Sequence, residues 1–187
     1  MDVRTRMFSR ALACALFTGL AVAGGAPARA DVLTVTAKGT IQPSCAITAT
    51  QLFPASNFNT SGSAVAKANV KCNQFFKINA SSQKGAIKSA DAVSPPFSNA
   101  VPYSLKADVV LDNNSTQTAT CAAATLVAGQ SSCTLSPANS TGLTSNGQIA
   151  TDKTTTLTVN WTPPPFPTLM KPGSYSDTIT LTIATVP

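Results

Sequence analysis

Thiol oxidation is the chemistry for which the residue types of this chain are best suited. Beyond residue 30 it carries four cysteines, Cys45, Cys72, Cys121 and Cys133. In an exported chain, four thiols are read as two disulfides. Three connectivities are possible. Neighbours along the chain can be joined by adjacent strands or a hairpin, which favours Cys45–Cys72 and Cys121–Cys133. Four thiolates could instead hold a metal ion, but the spacings contain no C-x-x-C knuckle. The expectation is therefore disulfides, with no metal and no cofactor.

Other reactive groups are scarce. The 187-residue sequence has no His and no Glu, and its four arginines all lie within the first 29 residues. General acid–base work near neutral pH usually needs a histidine or a tuned carboxylate. Past residue 30 the acids are Asp31, Asp91, Asp108, Asp112, Asp152 and Asp177, and no two are spaced as a pair. Ser/His/Asp and Cys/His sites are impossible. The chain is expected not to be an enzyme and to have no catalytic residue.

The elements that carry these cysteines begin after a leader. Arg4, Arg6 and Arg10 precede the apolar run "ALACALFTGLAVAGGA", which is followed by the small-residue site Ala28-Arg29-Ala30. This is the pattern of a cleaved secretory signal over residues 1–30. Its loss leaves 157 of the 187 residues, enough for one domain. It also takes four of the 13 Lys+Arg and one of the seven acids, leaving nine cations against six acids, a net charge of +3. The lysines are scattered singly, with no basic run, so no nucleic-acid partner is expected. No phosphate loop or nucleotide fingerprint occurs.

From Asp31 the residues alternate in strand fashion rather than helical fashion. In "DVLTVTAKGTI" Leu33, Val35, Ala37, Gly39 and Ile41 fall on one side and Thr34, Thr36, Lys38 and Thr40 on the other. "AVAKANVKC" alternates through Val70 and Cys72, and "FFKINAS" groups Phe76, Ile78 and Ala80. The odd positions from Val101 to Leu111 are all apolar. "TTTLTVNW" aligns Leu157, Val159 and Trp161. In "YSDTITLTIAT" Tyr175, Ile179, Leu181 and Ile183 oppose Thr178, Thr180 and Thr182. Residues 82–100 and the proline-rich 162–173 read as loops. Residues 117–135 read as two strands around "AGQSS", carrying the second cysteine pair. These elements predict an all-β antiparallel sandwich of about seven strands, plus the N-terminal one.

The N-terminal alternating strand, "CAITATQLF", "ANVKCNQFFKINAS" and the closing "PGSYSDTITLTI" together resemble the subunits of chaperone–usher fimbriae, in particular the spore-coat-protein-U-like, Csu-type archaic pilins. The similarity spans essentially all of 31–187; Pro-Gly-x-Tyr-x-Asp before a last strand is its most specific motif. "LFPASNF" departs from the family's L-x-F-G, and the end "IATVP" lacks an aromatic near the C-terminus. The resemblance implies a single immunoglobulin-like sandwich, residues 42–187, that lacks its last strand and is completed by the donor strand 31–41 of a neighbouring subunit. It implies secretion through the periplasm to a cell-surface fimbria supporting adhesion and biofilm formation. Its partners would be a periplasmic chaperone, an outer-membrane usher, and identical or related subunits forming a polymer. The acceptor groove would be bordered by Tyr175, Ile179, Leu181 and Ile183. An uncovered apolar edge is an aggregation hazard, and strand addition in trans relieves it.

Two other readings stand beside this one. Residues 31–41 could be an ordinary first strand paired within the chain. The whole could instead be a secreted monomeric sandwich that binds a carbohydrate or a surface, for which clustered exposed aromatics are expected. Trp161 is expected in the core, with Phe166 capping one end of the sandwich.

Overall fold

A computed structural model describes residues 38–186. The elements of this region are β1 (Cys45–Gln51), β2 (Gly62–Cys72), β3 (Phe76–Ser82), β4 (Ile87–Lys88), β5 (Phe97–Ser98), β6 (Ala100–Val101) and β7 (Tyr103–Val110), then β8 (Thr116–Ala122), β9 (Leu143–Thr144), β10 (Ala150–Trp161), β11 (Leu169–Met170) and β12 (Ile179–Thr185). One short 3-10 turn spans Ala123–Leu126.

Period-two alternation makes the long strands, because every second side chain can be buried while its neighbours stay in water. In β2, Ala64, Ala66, Ala68, Val70 and Cys72 are buried, while Lys67 and Lys71 are exposed. In β7 the buried set is Tyr103, Leu105, Ala107 and Val109, in β10 it is Thr155, Leu157, Val159 and Trp161, and in β3 it is Phe76, Ile78, Ala80 and Ser82. All of these side chains except Ala68, Ser82 and Thr155 belong to one hydrophobic core. Burying a large aliphatic side chain is worth about 1.5–3 kcal/mol, so register follows from which face each strand must hide.

Five strands form one sheet in the order β1-β2-β10-β7-β8, all antiparallel. A smaller antiparallel sheet has the order β12-β3-β9. The apolar faces of both contribute to the core, as in a β-sandwich. β4 pairs with β6, and β5 pairs in parallel with β11.

Several sequence expectations are corrected here. Of residues 117–135, only the Cys121 side is a strand; after the 3-10 turn the chain runs as turns and loop to Cys133. Nothing in "VAGQSSC" alternates, and Gly129 takes a positive φ of 83° to turn the chain. The supposed loops 82–100 and 162–173 hold four two-residue strands, β4, β5, β6 and β11. Each is made by long-range pairing, which no local pattern announces. Phe166 does not cap the sandwich: it is 89% exposed, held out on the proline-rich loop. Trp161 is buried, donates Nε1–H to the Thr60 carbonyl at 2.9 Å, and meets Phe58 edge-on at 5.2 Å.

Both cysteine pairs are those the spacing favours. Cys45 is joined to Cys72 and Cys121 to Cys133, with Cα–Cα distances of 4.2 and 5.9 Å. The first bridge ties β1 to β2 across directly opposed residues. Disulfides are the mark of chains that fold in an oxidising compartment, extracellular or periplasmic. No helix among the described residues is long and apolar enough to cross a membrane.

Candidate functional site

The site grows from the strand order. β12 pairs on one side with β3, and among the described residues no strand pairs with its other side. The direction of its backbone groups follows from the alternation of an antiparallel ladder. Gln83 N–H donates to the Thr178 carbonyl and Val186 N–H to the Phe75 carbonyl, so the even residues of β12 bond toward β3. Ile179, Leu181 and Ile183 therefore direct their N–H and C=O groups to the outer edge. Ala80, opposite Leu181, agrees: its N–H turns the other way, to the Leu135 carbonyl at 2.7 Å.

Among the described residues β1 is the edge strand of the larger sheet and pairs only with β2. Asn73 N–H donates to the Ser44 carbonyl, so Ser44, Ala46 and Thr48 bond toward β2. Cys45, Ile47 and Ala49 then present their backbone to the free side. Two edges, one from each sheet and both unpaired among the described residues, border the same opening.

That opening is a groove. Its narrower part, about 290 Å³, has Ile47 and Ala49 on the β1 side, Ile179 and Leu181 on the β12 side, and Ala66 and Ala68 as floor. The small alanines add little bulk to the floor, and Lys67 of β2 and Leu157 of β10 complete the lining there. It continues into a wider part of about 610 Å³, where Phe53, Phe58, Trp161 and Tyr175 give apolar walls. Phe53, Asp177 and Ile179 line both parts. Ile47, Phe53, Phe58, Tyr175, Ile179, Leu181 and Ile183 pack against the core yet remain only half-buried. An apolar row left half-covered on an unpaired edge is the feature that edge strands otherwise avoid.

One polar cluster stiffens the junction of the two parts. The Asp177 carboxylate accepts hydrogen bonds from Ser82 Oγ at 2.5 Å, Tyr103 Oη at 2.7 Å and the Lys84 N–H at 3.0 Å. Burial pushes the Tyr103 phenol well above its ordinary value and outweighs the lowering by Ser82, while the hydrogen bond and the charge of the Asp177 carboxylate add to the rise. The phenol is thus held protonated as a donor. This pins the start of β12 to β3 and β7. Tyr175 lies before the strand rather than in it; its Oη donates to the Lys171 carbonyl at 2.7 Å, which closes the loop beside the wide cavity.

Among the residues singled out from sequence, Ile179 and Leu181 line the groove and Tyr175 lines its wide end, whereas Ile183 lies further along the same edge of β12 and does not line it. Leu33, Val35 and Ala37 lie outside the described residues, as does the leader 1–30. Gly39 and Ile41 are described; they are exposed and belong to no strand, and Ile41 is 87% exposed. Sequence reasoning missed β1 as the second border, together with Phe53, Phe58 and Asp177. Only the strand order brings them to β12. No family model, curated protein or solved structure matches the chain.

Proposed function

We propose that this chain is a structural subunit of a surface fimbria of the chaperone–usher type, polymerising by donor-strand exchange. The observation that carries the proposal is the edge of β12 that no described strand pairs, with Ile179 and Leu181 half-covered above a floor of alanines and Ile183 further along the same edge. An extended segment laid between β1 and β12 would find backbone partners on both sides and apolar pockets beneath. The segment "DVLTVTAKGTI" has the alternation to fill them, through Leu33, Val35, Ala37 and Ile41. On this reading the sandwich is immunoglobulin-like and incomplete, and the strand order β12-β3-β9 against β1-β2-β10-β7-β8 supports that layout. Before assembly a periplasmic chaperone would cover the groove, and an outer-membrane usher would pass subunits into the filament.

A comparison of two proteins tests this. Residues 31–187 expressed alone should self-associate. The same chain with a second copy of "DVLTVTAKGTI" joined to its C-terminus by a short flexible linker should be a monomer that melts at higher temperature. A cooperative unfused monomer with the same melting temperature would overturn the proposal. It would favour the second reading, a monomeric ligand-binding sandwich, whose site would be the aromatic wide end of the groove.

A further inference from the structure

The Asn73 side chain is bonded to the segment that leads into β1. Asn73 Oδ1 accepts the Ser44 N–H at 2.8 Å, and Asn73 Nδ2 donates to the Gln42 carbonyl at 2.9 Å. Its backbone N–H adds a third bond, to the Ser44 carbonyl at 3.1 Å. Ser44 opposite Asn73 continues the register of Cys45 opposite Cys72, so the chain approaches β1 in line with it rather than from a tight turn beside it. The same β2–β3 turn holds the far end of β12: Gln74 Nε2 donates to the Val186 carbonyl at 3.0 Å, and Val186 N–H to Phe75.

This alignment matters because the chain has another option. Residues 42–44 are as long as a common hairpin loop. With a turn there, residues 31–41 could double back against the free edge of β1 and fill their own groove. We propose that Asn73 is a positioning residue that opposes this self-capping and commits the N-terminal segment to a second copy of the chain. The inference rests on the donor-strand reading above. Magnitudes make the competition close. A short tether gives a chain's own segment an effective concentration of about 1 mM, roughly a thousandfold above a neighbour at micromolar level. Self-capping must break three hydrogen bonds, each worth about two- to tenfold, so together about ten- to a thousandfold. The clamp is thus of the size needed to decide the outcome.

The test uses the oxidised chain 31–187 in three forms, wild type, Asn73→Ala and Asn73→Asp, with a deletion of 31–41 as a fourth. Size distribution is measured by light scattering after chromatography, and amide exchange is read on the monomer fraction. Asn73→Ala should raise the ratio of monomer to polymer by about four- to a hundredfold for its two lost side-chain bonds. In those monomers the Leu181 and Ile183 amides should be protected. Asn73→Asp, which keeps the acceptor for Ser44 and loses the donor to Gln42, should fall between. Since that variant keeps one bond, it decides the matter if the alanine form does not fold. Wild-type polymer yield in the Asn73 variants, or monomers whose Leu181 and Ile183 amides exchange freely, would overturn the role of Asn73. If the deletion itself polymerises as wild type does, the donor-strand reading fails instead.

Discussion

Filling the groove from its floor should separate subunit stability from assembly. Ala66 is buried on β2 and lines the narrow part of the groove, below Ile179 and Leu181. Ala66→Leu adds three methylene-sized groups toward a groove of about 290 Å³ that the described residues leave open. At about 0.8 kcal/mol for each buried methylene, the substitution stabilises the free subunit by up to roughly 2 kcal/mol. For a domain of this size that is a rise in melting temperature of about 4–8 °C. The same atoms occupy the room a neighbour's Val35 or Ala37 would need, so strand insertion must push them aside. Overpacking of that kind costs about 1–3 kcal/mol, and at about 1.4 kcal/mol per tenfold assembly should slow by about 5- to 150-fold. The assay is a pair of measurements on one preparation: calorimetric melting of the monomer, and the rate at which a synthetic peptide of residues 31–41 is taken up. A lower melting temperature would show that the floor is already full. Unchanged uptake would show that the strand does not enter here.

Other outcomes follow from the same geometry. Val35→Arg should abolish donation while leaving the acceptor groove intact, since an unpaired buried charge costs several kcal/mol; immunogold labelling of mixed filaments should find the variant at the tip and never along the shaft. Peptide mapping without reduction should recover Cys45 with Cys72 and Cys121 with Cys133, and replacing either pair with serine should cost about 3 kcal/mol in denaturant unfolding. Tyr103 has a raised pKa in the fold relative to its ordinary value of 10.0, so its contribution to stability is complete below that pH and is lost as pH rises above it. Urea midpoints measured between neutral and strongly alkaline pH should fall across that range, and Tyr103→Phe should flatten the decline while removing about 1 kcal/mol at neutral pH.

The sequence by itself determined the strands that pack on both neighbours. β2, β7 and β3 alternate along nearly their whole length, as β10 does from Thr155 to Trp161, so their inward residues could be named in advance; the register shift between Ala150 and Lys153 of β10 left no such mark. It also favoured, among three possible connectivities, the cysteine pairing that the structure shows, because partners close along the chain needed only adjacent elements. What it left open is what depends on distant segments meeting. β5 and β11 pair across some seventy residues of chain, through two residues each, too few to leave a period. Cys133 sits in a loop because "VAGQSSC" has no face to hide, whatever its partner requires. Tyr175 shares its spacing with Ile179 and Leu181 yet lies before the strand, since Asp177 turns its carboxylate inward to Ser82 and Tyr103 and sets where β12 begins. The groove is the clearest case. Ile47 and Leu181 are each ordinary strand residues in the sequence, and an open edge is a property of neither. Strand order alone brings the free side of β1 to the free side of β12 and leaves both without a partner among the described strands, because hydrogen bonding between strands is fixed by the whole topology and not by any one segment.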